Sequence, residues 1–135
     1  MPILSTIAVR AAMIHLLLGF ASGALMLANK GFTLSPAPWS LLPAHIDLLL
    51  FGWTTQLIMG VAYWILPRHP RGPKRGNYAV AVASFVLLNL GVVFAAISPW
   101  IPFSGITGLA GRSLELLGVA TFAFNAWQRI EVARR

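Results

Sequence analysis

Few side chains in this chain could do chemistry, and their positions limit what that chemistry can be. There are three histidines, three acidic residues and no cysteine. Disulfides, iron–sulfur clusters and thiolate metal sites are therefore excluded. His45 and Asp47 open one apolar stretch, while Arg112 and Glu115 open another. Arg112 and Glu115 are three residues apart, so on a helix they are neighbours able to pair. One reading is an internal ion pair that keeps a helix end oriented. The other is a guanidinium that binds an anionic group of a ligand, with Glu115 fixing its position. His45 is followed on its own helical face by Leu49, Gly52, Trp53 and Gln56, a small residue beside an aromatic that leaves room for a flat ring. An imidazole bonded to a backbone carbonyl of the neighbouring loop is the alternative. His15 is predicted to be a hydrogen-bonded packing residue. At 1.5 Å per residue it lies about 15 Å from His45 in depth, too far for one metal to take both. His69 falls among prolines and basic residues and is expected to be solvated.

The elements that must hold these groups are membrane helices. The chain is 58% hydrophobic and 10% charged over 135 residues, too little polar surface for a soluble domain of this size. A net charge of +7 does not point to nucleic acid, because the basic residues cluster at the ends of apolar segments instead of lining a face. A bilayer core of about 30 Å takes roughly 20 apolar residues per helix, and four stretches approach that length: 9–29, 43–66, 78–98 and 106–127. The expected fold is all-α, a four-helix transmembrane bundle in one domain over residues 1–135. The first stretch lacks a small-x-small cleavage site and is read as retained.

Orientation follows from Lys and Arg. Arg10, Arg68, Arg71, Lys74, Arg75, Arg129, Arg134 and Arg135 fall on one side, and Lys30 alone is in the loops of the other, which predicts both termini on the cytoplasmic side. Trp39 and Trp100 then sit at the outer interface, Trp64 and Trp127 at the inner one. The loop from Lys30 to Leu42 is expected to be extended around Ser35-Pro36-Ala37-Pro38. Gly19, Gly23, Gly52 and Gly60 have spacings that let helices approach closely.

The run Leu42-Pro43-Ala44-His45-Ile46-Asp47-Leu48-Leu49-Leu50, continuing through Gly52-Trp53 and Gly60 to Ala62-Tyr63-Trp64-Ile65-Leu66-Pro67-Arg68, resembles the second transmembrane helix of the heme–copper oxidase catalytic subunit. It is most similar to the branch of cbb3-type oxidases and bacterial nitric oxide reductases. Residues 9–29, with Arg10, Gly19 and Gly23, are similar to the family's first helix, and the resemblance fades beyond the first half of the chain. It implies that His45 is an axial ligand of a heme b iron, with Gly52 and Trp53 against the ring. Arg112 lies at the depth of the heme propionates, where Glu115 would orient it. It also implies a bacterial cytoplasmic (inner) membrane.

The family's further histidine ligands have no counterpart here, so a complete oxidase with a binuclear centre is not expected. A second axial histidine would come from a homodimer partner about a two-fold axis. The expected role is electron transfer or an accessory place in a respiratory complex. A non-heme structural or assembly subunit is the alternative. Small-solute transport through Asp47, Arg112 and Glu115 ranks behind both, because the three charges share one depth instead of meeting at the midplane.

Overall fold

The computed structural model describes residues 1–32, 37–67 and 75–133, with side chains as far as residue 131. Arg68, His69, Arg71 and Lys74 of the basic loop lie outside the described residues, as do Ser35, Pro36, Arg134 and Arg135.

Four helical rods make up almost all of the described chain, and no strand is present among the described residues. Helix α1 spans Ile3–Phe32. Helix α2 runs over Ala37–Ile65, α3 over Tyr78–Ile97 and α4 over Ser104–Ala133. Three are long and apolar enough to cross a bilayer: α1, α2, and α3 with its extension to Trp100. The fourth has the length, 30 residues, but Arg112, Glu115, Arg129 and Glu131 lower its apolar character.

Helices α1, α2 and α4 extend beyond the stretches predicted for them. The apolar windows mark only the hydrocarbon-matched centres, whereas the backbone continues helical wherever its carbonyls have amides to accept. The largest correction concerns the loop before α2. Ala37 and Pro38 are not extended but open a 3-10 turn, Ala37–Leu41, that feeds directly into the helix. His45 and Asp47 consequently lie more than a turn inside α2 instead of at its mouth.

Within α2, the segment Leu48–Thr55 is π-helical, between α-helical Leu42–Asp47 and Gln56–Ile65. The hydroxyls of Thr54 and Thr55 donate to the carbonyls five residues back, Leu49 and Leu50, each at 2.9 Å. The amide of Gln56 goes to the carbonyls of Phe51 and Trp53, not to that of Gly52 as α-helical pairing requires. These wider turns re-aim the helix. In an unbroken 3.6-residue helix, Asp47 and Tyr63 would point about 160° apart. With the π stretch between them, both meet α4.

The bundle is two antiparallel pairs joined through α2. In the first pair, α1 packs on α2 with all four glycines marked in the sequence at contacts. A Cβ on Gly19 would meet Leu49, one on Gly23 would meet His45, one on Gly52 would meet His15 and one on Gly60 would meet Ala8. In the second pair, α3 and α4 approach until backbone touches backbone. A Cβ on Gly118 would lie 2.8 Å from the Leu88 nitrogen, and one on Gly111 would lie 2.6 Å from that of Ala95. Hydrocarbon supplies no hydrophobic drive between membrane helices, so such small-residue contacts carry the association. A shared core of Leu4, Ala8, Met59, Tyr63, Ala81, Phe85, Leu88 and Phe122 draws on all four helices, with Phe85 and Phe122 edge to face at 5.9 Å. The outward faces carry Leu17, Phe20, Leu27, Ile58, Leu116 and Phe124.

Replacing Gly118 with Ala forces a methyl group into backbone on α3 and is expected to cost about 1–3 kcal/mol of unfolding free energy. Gly105→Ala, which meets nothing within 4 Å, is expected to cost nothing. Unfolding in mixed detergent micelles, followed by circular dichroism, compares the two.

Candidate functional site

The two intramembrane histidines form a reciprocal lock between α1 and α2. His15 Nδ1 on α1 is 2.9 Å from the carbonyl of Gly52 on α2. His45 Nδ1 on α2 is 2.8 Å from the carbonyl of Gly19 on α1. A carbonyl only accepts, so each Nδ1 carries the hydrogen and donates, and each neutral ring keeps its lone pair on Nε2. Ser22 supports the second bond, its hydroxyl donating to the same Gly19 carbonyl at 2.7 Å and lying 3.4 Å from His45 Nδ1. The π stretch prepares the first bond by leaving the Gly52 carbonyl without the Gln56 amide. The hydrogen-bonded packing role expected for His15 is thus the observed one.

This geometry answers the flat-ring expectation in part. The stripe His45, Leu49, Gly52 and Gln56 does face one neighbour, and that neighbour is α1. A Cβ on Gly52 would lie 2.7 Å from His15 Cγ, so the flat ring against Gly52 is the imidazole of His15. Trp53 is half-buried, and its indole nitrogen is buried without a partner. The His45 ring lies against Gly19 and Gly23, four and eight residues along α1 from His15. That separates the two imidazoles by roughly 6–12 Å of rise, less than the sequence spacing indicated, because His45 sits deeper in its helix than expected.

The second site joins α2 to α4. Arg112 Nη1 donates to Asp47 Oδ1 and, at 3.2 Å, to Glu115 Oε2. The Glu115 contact is the pair expected from three-residue spacing. The Asp47 contact spans 65 positions, and no local spacing rule reaches it. Both carboxylates are fully buried, whereas the arginine side chain is half exposed, its guanidinium 5.8 Å from the centroid of the Phe51 ring. One guanidinium faces two carboxylates here, and Asp47 Oδ2 and Glu115 Oε1 remain without hydrogen-bond donors.

Arg129, whose place in the sequence marks only orientation, forms a third connection. It is 2% exposed and donates to three carbonyls at the end of α2: Nε to Pro67 at 3.0 Å, Nη1 to Tyr63 at 3.2 Å and Nη2 to Leu66 at 2.5 Å. Its guanidinium also lies 5.6 Å from the Tyr63 ring centroid. Arg75 reaches the same helix end, donating to Tyr63 and Trp64 carbonyls at 3.3 and 3.1 Å. A cation at a helix C-terminus satisfies carbonyls with no intrahelical amide and opposes the negative end of the dipole. The available signal was an arginine whose distance from Arg112, 17 residues, is close to the length of the α2 segment it spans.

Among the described residues, no group of three or more His, Cys, Asp or Glu side chains is arranged to hold a metal ion. Compared with known protein families, curated proteins and solved structures, the chain matches none.

Arg112→Leu leaves Asp47 and Glu115 buried together without their cation, and is expected to cost about 3–5 kcal/mol. The triple change Asp47→Leu, Arg112→Leu, Glu115→Leu removes all three charges and is expected to recover most of that loss. Thermal unfolding of the three proteins in one detergent distinguishes an ion pair that holds the bundle from one that does not.

Proposed function

We propose that this chain is a structural or assembly subunit of a larger membrane complex, a four-span bundle with both termini on the cytoplasmic side. The single observation that supports this role is where its polar side chains are engaged. His15, His45, Asp47, Arg112, Glu115 and Arg129 all bond to another helix or to a residue that does, and so hold the chain's own helices together. In this reading α4 crosses the membrane despite its charges, because Arg112 and Glu115 meet Asp47 and Arg129 meets carbonyls, leaving apolar residues for lipid. The distribution of Lys and Arg supports the orientation. The likeness of residues 42–68 to oxidase helix two supports a respiratory complex in a bacterial inner membrane.

A heme b fits this chain only in part. His45 suits an axial ligand, since a donating Nδ1 held by a backbone carbonyl leaves Nε2 for a metal and fixes the ring. Three other positions expected around it are engaged within the chain. Gly52 is covered by His15, and Arg112 already faces two carboxylates through Nη1, so a propionate there would add a third anion to one cation. Glu115 orients Arg112 toward Asp47. Heme binding at His45 is therefore the second reading. It requires ring contacts and a second axial ligand from outside this chain, for which a homodimer is the simplest source.

The test is the absorption spectrum of protein expressed with ample heme, oxidised and dithionite-reduced, beside His45→Ala, together with the proteins that co-purify in mild detergent. The subunit reading expects colourless protein that co-purifies with a larger complex. A Soret band with sharp reduced α and β bands, lost in His45→Ala, replaces it with the heme reading.

A further inference from the structure

Arg75 and Arg129 bring two positive charges to one backbone oxygen. Both donate through Nη1 to the Tyr63 carbonyl, at 3.3 and 3.2 Å. The C-terminal end of α2 offers about half a negative charge from its dipole, so two guanidiniums leave an excess of about +1.5 there. No acidic side chain of the chain offsets it. There are three such side chains, and Asp47 and Glu115 hold Arg112, about 25 Å along α4 from Arg129. Glu131 accepts from Trp127, and a separation of two residues turns it about 200° around the helix from Arg129. Arg129 is buried. Arg75 Nε and Nη2, by contrast, have no partner in the chain and reach the surface.

A trough of about 450 Å³ opens at the same end of the bundle. It runs between α1 and α3, from Leu4 and Tyr78 to Ala11 and Leu90, and its walls are mostly apolar. From Tyr78 to Leu90 α3 rises about 18 Å, close to the roughly 15 Å of one hydrocarbon leaflet. Two observations place its mouth beside the arginines. Leu4, Ala8 and Phe85 line the trough and also pack in the core with Tyr63, whose carbonyl carries both guanidiniums. Tyr78, at the mouth, follows Arg75 by three residues.

We infer that this end of the bundle binds an anionic phospholipid, its phosphate on Arg75 and one acyl chain in the trough. Each half of the site excludes other occupants. The excess positive charge requires an anion, which gains charge-assisted hydrogen bonds from an open guanidinium. A free phosphate satisfies the charge and leaves the trough unused. A zwitterionic phospholipid fills the trough, but its own ammonium leaves the excess in place. A lipid with net negative charge meets both demands, as basic groups between helices at the cytoplasmic surface do for anionic headgroups generally. Arg129 acts from behind, held by three carbonyls, and adds positive potential without touching the lipid. Exposed Tyr78 sets an aromatic ring at headgroup depth, where such rings prefer to sit. The inference does not depend on the subunit reading or on heme.

The test is native mass spectrometry of the full chain, titrated in detergent with dioleoylphosphatidylglycerol and separately with dioleoylphosphatidylcholine. The anionic lipid is expected to be retained roughly fivefold or more above the zwitterionic one, the attraction of one basic side chain at a membrane surface. Arg75→Gln is expected to abolish this preference, and Arg75→Lys, which keeps the charge, to retain most of it. Val86→Trp, at an exposed wall residue, fills the trough and is expected to weaken both lipids severalfold, with circular dichroism unchanged. Inorganic phosphate in large excess is expected to leave the lipid bound. Equal retention of the two lipids by the wild-type protein overturns the inference, as does a preference that survives Arg75→Gln or is lost in Arg75→Lys. Undiminished binding in Val86→Trp overturns it by removing the trough from the site. Displacement of the lipid by inorganic phosphate overturns it in favour of a free anion.

Discussion

A polar group inside a bilayer has no water to return to, so leaving it without a partner in the protein is costly. In this chain that constraint acts through α2. Its Gly52 carbonyl accepts from His15 and its His45 donates to Gly19. Its Asp47 holds Arg112, and its last carbonyls hold Arg129. Helices α1 and α3 pack on it directly, and α4, which packs along α3, reaches it through Arg112 and Arg129.

One helix can serve several neighbours only if its faces are aimed separately, and the π-helical stretch Leu48–Thr55 does this. The extra residue per turn frees the Gly52 carbonyl for an outside donor and rotates the lower half of α2 against the upper. Asp47 above the stretch and Tyr63 below it then meet the same partner. The threonine hydroxyls bonded five residues back are the local chemistry that favours this conformation over a straight helix. Arg112 and Arg129 fasten α4 to α2 at points about 25 Å apart along the axis, which fixes both the register and the tilt of that contact.

The same constraint separates the groups that finish the fold from those that do not. The histidine Nδ1 atoms and the arginines are matched by carbonyls or carboxylates of the chain itself. Gln56 Oε1, Trp53 Nε1 and Ser5 Oγ are buried and unmatched. They differ from the orphan oxygens of Asp47 and Glu115, whose carboxylates already hold a guanidinium through the other oxygen.

How much could be read without coordinates follows from the range of each interaction. Hydropathy is a sum over neighbours along the chain, so the helical class, the approximate spans and the membrane setting were legible in composition and windows alone. The Arg112–Glu115 pair was legible because three residues bring side chains together on any helix, and the glycines of α1 and α2 because their spacing repeats with the helical turn. The close packing of Gly111 and Gly118 against α3 carries the same kind of signal, two glycines seven residues apart. What only the tertiary structure decided are the partners across helices: His15 on Gly52, His45 on Gly19, Asp47 on Arg112, Arg129 on the end of α2. They are separated by 26 to 66 positions, and they depend on a change in helical pitch that shifts the register without altering hydrophobicity. A one-dimensional pattern records which residues are apolar and how often. It holds no term for the rotation of one half of a helix against the other, and that rotation determines which polar atoms find each other inside the membrane.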